Sequence, residues 1–75
     1  GYMSKYTGTF DGTSGTSFTV TAGTHQLGTG PFTVAVYEND EMVYTGVEFN
    51  GSGDVTFTWS PGSLTDTACK FIISG

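Results

Sequence analysis

His25 is the only histidine in the 75-residue chain. It lies in the run Thr24-His25-Gln26-Leu27-Gly28-Thr29, so acid–base catalysis near neutral pH would have to centre on it. A hydrolase built around it would also need a nucleophile on a strained turn and an acid to orient the imidazole, and no nucleophile-elbow pattern is present. His25 is therefore expected to order its loop through hydrogen bonds. Cys69, the one cysteine, permits neither an intrachain disulfide nor a cysteine-based zinc site. Its place in the alternation Cys69, Phe71, Ile73 makes it a small buried hydrophobe rather than a reactive thiol. The run Gly28-Thr29-Gly30-Pro31 lacks the following helix and the lysine that a phosphate cradle requires. Glu38, Asp40 and Glu41 could offer oxygens to calcium, but without EF-hand spacing they read as a polar hairpin tip. No metal or cofactor is expected, and an enzyme is the least favoured class.

Charge narrows the partners. Seven acidic residues, Asp11, Glu38, Asp40, Glu41, Glu48, Asp54 and Asp66, stand against Lys5 and Lys70 alone, for a net charge of −5. Such a surface repels phosphate backbones and anionic lipid, so neither nucleic acid nor membrane is an expected partner. No apolar run approaches the roughly 20 residues that span a bilayer. Aromatic residues are dense, and Tyr2, Tyr6, Tyr37 and Tyr44 could stack on sugar rings or form a subunit interface. Trp59, in phase with Val55 and Phe57, reads as core.

The elements that must position these groups are strands. Residues 17–22 place Phe18, Val20 and Ala22 on one face; residues 32–38 group Phe32, Val34 and Val36; residues 54–59 group Val55, Phe57 and Trp59; residues 69–74 group Cys69, Phe71 and Ile73. Tyr6, Gly8 and Phe10 alternate near the N-terminus, and residues 42–49 read as one strand bent at Gly46. No segment has a helical period. Turns are expected at Asn39-Asp40, at Asn50-Gly51-Ser52-Gly53 and at Gly12-Thr13-Ser14-Gly15, with longer connections over residues 23–31 and 60–68. The expected fold is all-β: a small antiparallel β-sandwich, jelly-roll or Ig-like, forming a single domain over residues 1–75. Met3-Ser4-Lys5 reads as a natural start behind a Gly1-Tyr2 remnant, with residues 1–5 outside the ordered domain and no secretory signal. A chain this short hides only roughly 60% of its unfolded surface. Without disulfide or metal, self-association is the expected source of further stability.

The run Thr24-His25-Gln26-Leu27-Gly28-Thr29, followed by Phe32-Thr33-Val34-Ala35-Val36-Tyr37-Glu38, Val43, Val47, Asp54-Val55-Thr56-Phe57 and the closing Phe71-Ile72-Ile73-Ser74-Gly75, resembles a small β-domain of tailed-bacteriophage virion proteins of the capsid-decoration and tail- or head-fibre type. The resemblance implies a non-enzymatic accessory protein of the virion, assembled in the host cytoplasm. It implies a homo-oligomer, a trimer in the first instance, seated on a capsid or tail protein. Tyr6, Phe10, His25, Tyr37 and Tyr44 are the expected contact residues, with the segment from Lys5 to Phe10 adding a strand to a neighbouring sheet edge. The alternative is a module that binds a host-surface glycan or receptor through Tyr37, Tyr44 or the loops of residues 23–31 and 60–68. A small protein inhibitor presenting the acidic loop is a third reading.

Overall fold

The computed structural model describes residues 5–75, so the reading of Gly1-Tyr2 as a remnant, the start at Met3 and the role of Tyr2 lie outside the described residues. Lys5 opens the first strand. The elements are β1 (Lys5–Phe10), β2 (Ser17–Val20), α1 (Ala22–His25), β3 (Thr33–Glu38), β4 (Glu41–Val43), β5 (Gly46–Phe49), β6 (Val55–Thr58) and β7 (Cys69–Ser74). They form two antiparallel sheets, the first in the order β1-β7-β3-β4 and the second β2-β6-β5. This is the all-β sandwich that the period-two patterning requires. Strands β2 to β7 follow the B-C-C′-D-E-F path of an immunoglobulin-type sandwich, and β1 pairs with β7 where strand G would pair with F.

Register fixes what each face carries. On the inner face of the first sheet Gly8 lies opposite Phe71, and Phe71 opposite Val36. On the inner face of the second, Phe18 and Val47 flank Phe57, while Val20 and Phe49 flank Val55. The buried core therefore includes Val20, Phe32, Val36, Val55, Phe57, Cys69, Phe71 and Ile73 from the expected strand faces. Phe18 and Val34 are only partly buried. The outer face of the second sheet is threonine-rich, with Thr19 and Thr56 hydroxyls 3.1 Å apart.

Several expectations are corrected. Residues 42–49 are not one bent strand: the chain leaves the first sheet after Val43 and joins the second at Gly46. The intervening Tyr44 is 90% exposed. Val43, Val47 and Phe49 are in one phase and lie on the inward side in both halves, so the Tyr44-Thr45 break turns that single face from the first sheet to the second. Strand β2 ends at Val20 rather than running to residue 22, because Ala22 begins a single helical turn closed by Gln26 in the left-handed region at φ 54°. So short a turn leaves no period to read. Phe10 is 4% exposed and belongs to the core, not to an interface; its ring lies against Phe18, Phe57 and Trp59 at centroid distances of 5.3, 5.8 and 5.1 Å. Leu64, inside the connection over residues 60–68, is also buried, at 5% exposure.

The hairpin joining β3 to β4 turns on Asn39 and Asp40, both at positive φ (50° and 66°). That is the type I′ geometry whose twist matches flanking strands, and Asn and Asp tolerate it better than most residues. Gly8 is required for another reason: a Cβ there would lie 2.8 Å from Cζ of the buried Phe71 ring. Replacing Gly8 with Val is expected to cost about 1–3 kcal/mol through overpacking, read as a lowered denaturation midpoint with unchanged m-value, whereas Thr7→Val on the exposed face should be close to neutral.

Candidate functional site

The Thr24–Gly28 run forms a latch between two loops. Residues 21–25 close one helical turn through bonds from the Thr24 and His25 amides to the Thr21 carbonyl, at 2.9 and 3.1 Å. The Thr21 and Thr24 hydroxyls are 2.9 Å apart. The turn places the imidazole of His25, 4% exposed, between two backbone groups. Nδ1 accepts the Leu27 amide at 2.9 Å, so Nε2 carries the proton and donates to the Gly53 carbonyl at 2.6 Å. The ring meets Phe32 edge-on at 5.0 Å, and Phe32 in turn meets Phe49 at 5.5 Å. Both ring nitrogens are thus committed to backbone, and the side chain orders its loop as its residue type and setting suggested.

Asp54 completes the latch from the other side. Its Oδ1 accepts the Ala22 amide at 2.9 Å, and its Oδ2 accepts the Asn50 side-chain amide at 3.0 Å. Asn50 Oδ1 accepts the Ser52 and Asp54 amides. The Asn50 hydrogen bond, followed by that from Ala22, holds the Asp54 carboxyl below its usual pKa. Gly53, at φ 92°, lies so close to the Gly28 carbonyl that a Cβ would strike its oxygen. Composition had marked residues 50–53 only as a turn; nothing local showed that this turn is the acceptor for His25.

At the opposite end, acidic side chains serve as backbone acceptors. Glu38 Oε2 accepts the Thr65 amide at 2.6 Å and the Asp66 amide at 3.2 Å. Asp66 accepts from the Asn39 and Ala68 amides through its carboxylate and from Gly12 through its carbonyl. Together they fasten the β3–β4 turn and residues 60–68 to the Gly12 loop, where Trp59 Nε1 also donates to the Gly12 carbonyl at 3.1 Å. Asp11, held by the Thr13 hydroxyl and amide, likewise has a lowered pKa. Cys69 sits beneath this end with its thiol donating to the Asp66 carbonyl at 3.4 Å. Burial first, then the charges of Asp66 and Glu38, raise its pKa. Among the described residues no group of three or more His, Cys, Asp or Glu side chains converges as a metal site would require.

The contact residues expected from sequence are not brought together. His25 and Phe10 are internal. Tyr6 lies on the inner face of β1, its ring 5.9 Å from Phe71. Tyr37 lies on the outer face of the first sheet opposite Met42, away from Tyr44. Tyr44 projects from the crossover between the sheets. Exposed large hydrophobic side chains among the described residues are instead concentrated in one segment: Met42, Tyr44, Val47 and Phe49, at 51, 90, 36 and 43% exposure. Val47 and Phe49 point toward the core side of β5 but lie at the open flank of the sandwich, where β5 is an edge strand. The fold and these surfaces define a small antiparallel β-sandwich with a polar latch and an apolar flank. No protein-family model matches the chain, and no curated protein or solved structure matches it.

Three outcomes follow from this geometry. Because the Asp54 carboxyl titrates lower in the folded than in the unfolded chain, its stabilisation is complete above the ordinary Asp value of about 3.9. It is lost as pH falls through the lowered folded-state value. Asp54→Asn should therefore flatten the acid limb of a melting-temperature profile while lowering the neutral plateau. His25→Ala should cost about 1–3 kcal/mol, since it leaves the buried Gly53 carbonyl and Leu27 amide unpaired, measured by urea denaturation. The Cys69 thiol should react with a disulfide reagent only at the rate of unfolding.

Proposed function

We propose that this domain is a non-enzymatic accessory module of a tailed-bacteriophage virion, one that assembles with copies of itself to decorate, stabilise or tip a capsid or tail structure. The observation that carries the self-assembly is the apolar flank. An edge strand with unpaired backbone groups invites pairing unless charge, proline or a covering element blunts it. Here β5 carries one charge, Glu48, between Val47 and Phe49, and Met42 and Tyr44 extend the same apolar segment. Large apolar side chains left exposed along one stretch of chain favour an interaction site.

The virion assignment rests on the resemblance of the Thr24–Thr29 run and the strands after it to phage virion β-domains. The trimer follows from the same resemblance, since such domains commonly occupy three-fold positions. The His25 and Asp54 latch fits the role, because it holds the loop from Thr21 to Gly28 rigidly beside β5 through contacts that need no cofactor. The small size of the chain favours association on independent grounds.

Light scattering across a dilution series tests the assembly. The chain should hold a trimeric mass, and a double variant, Tyr44→Ser with Val47→Lys, should give a folded monomer by circular dichroism. A wild-type monomer throughout the series would overturn the proposal.

A further inference from the structure

The outer face of the first sheet carries a second feature, which adjoins the apolar segment at Met42. Register aligns Thr9, Lys70, Tyr37 and Met42 in one cross-strand row and Thr7, Ile72 and Ala35 in the next. A depression of about 520 Å³ lies over these rows, lined by Tyr37, Lys70, Asp40, Ile72, Thr7 and Thr9 among others. A smaller one of about 220 Å³ is lined by Asn39, Asp66 and Ala68 together with the same Tyr37, Asp40 and Lys70. Three side chains are thus shared by two adjacent depressions, and the larger falls within the size range of small-molecule sites.

We propose that this trough binds a neutral oligosaccharide, with Tyr37 as the platform and Lys70 and Asp40 as the hydroxyl-binding pair. The electron-rich face of a tyrosine attracts the polarised C–H edge of a pyranose ring, and Ile72 extends the apolar surface beside it. Lys70 Nζ and Asp40 Oδ1 stand 4.0 Å apart, with the two side chains 68 and 93% exposed. That separation is beyond hydrogen-bond length, so the ammonium can donate to, and the carboxylate accept from, a sugar hydroxyl seated over the pair. A hydroxyl both donates and accepts, and a donor next to an acceptor matches neighbouring hydroxyls on one ring. The threonines of β1 supply further hydroxyl partners on the rim. Two depressions sharing one aromatic side chain suit a ligand of more than one sugar unit.

Charge selects the neutral class. Asp40 stands within the trough and the chain carries a net charge of −5, so sialylated, sulfated or phosphorylated ligands meet repulsion that neutral glycans do not. A proline-rich peptide would require a groove lined by several aromatic rings, whereas Tyr37 is the one aromatic side chain common to both depressions.

The test is a printed array of neutral, sialylated and sulfated glycans probed with the full chain, followed by amide-shift titration with the strongest neutral oligosaccharide. Neutral glycans should bind, with shifts centred on Thr7, Tyr37, Lys70 and Ile72. Tyr37→Ala should weaken binding roughly tenfold or more, while Tyr37→Phe retains the platform and most of the affinity. Lys70→Met, which keeps the length of an exposed side chain, should weaken binding as well and serves if Tyr37→Ala fails to fold. Absence of array signal, binding of acidic glycans alone, or shifts confined to the β4–β5 flank would overturn the proposal. A loss of assembly mass on Tyr37→Ala would also overturn it, by making the trough a contact between copies. A wild-type monomer that still bound neutral glycans would support it while removing the assembly reading.

Discussion

The contact between Phe57 and Phe71 is the one on which the rest of the molecule depends. The two rings belong to different sheets, are 0 and 2% exposed, and meet at 5.4 Å. Strands in facing sheets share no ladder hydrogen bonds, so apolar contact between their inner faces carries the sandwich. Phe10 and Phe18 extend this cluster toward β1 and β2, and Gly8 leaves the space that the Phe71 ring fills. In a chain with one cysteine and no disulfide, four closely packed phenylalanines supply much of the area that larger domains distribute over many aliphatic residues.

Around this cluster, polar side chains close the ends of the sandwich. His25 and Asp54 bind the helical turn to the Asn50 turn; Glu38 and Asp66 bind the β3–β4 turn to residues 60–68. In both cases the acceptors and donors they satisfy are mainly backbone groups, which would otherwise be stranded where loops pack closely. The acids therefore contribute to architecture as well as to charge. Asp40, by contrast, stays exposed beside Lys70, where it remains available to an external partner.

Much of the architecture was legible because alternation on β6 and β7 is unbroken: Val55 and Phe57, then Cys69, Phe71 and Ile73, are all inward. The Asn39-Asp40 turn was legible from residue types that tolerate positive φ. What escaped was set by tertiary context. Met42 to Phe49 is apolar enough to look continuous, yet its two halves serve different sheets. Phe10 was expected at a contact between copies, in a segment that adds a strand to a neighbouring sheet; instead Gly8 makes room for the Phe71 ring that Phe10 joins in the core. Leu64 sits in a connection without period, so nothing local announced its burial. The latch was half visible: His25 stood out as a loop-ordering residue, but Gly53, its acceptor 28 positions away, carries no side chain that could advertise the pairing.

The place of β7 has a consequence for how the domain is made. The last strand in the sequence is interior to the first sheet, with β1 on one side and β3 on the other. Until β7 has left the ribosome, β1 has no strand beside it and β3 has only β4, and the inner faces carrying Phe10 and Val36 stay without Phe71. Assembly of that sheet therefore waits for residues 69–74, and a nascent chain stalled before residue 69 would present apolar strands to chaperones instead of a folded domain.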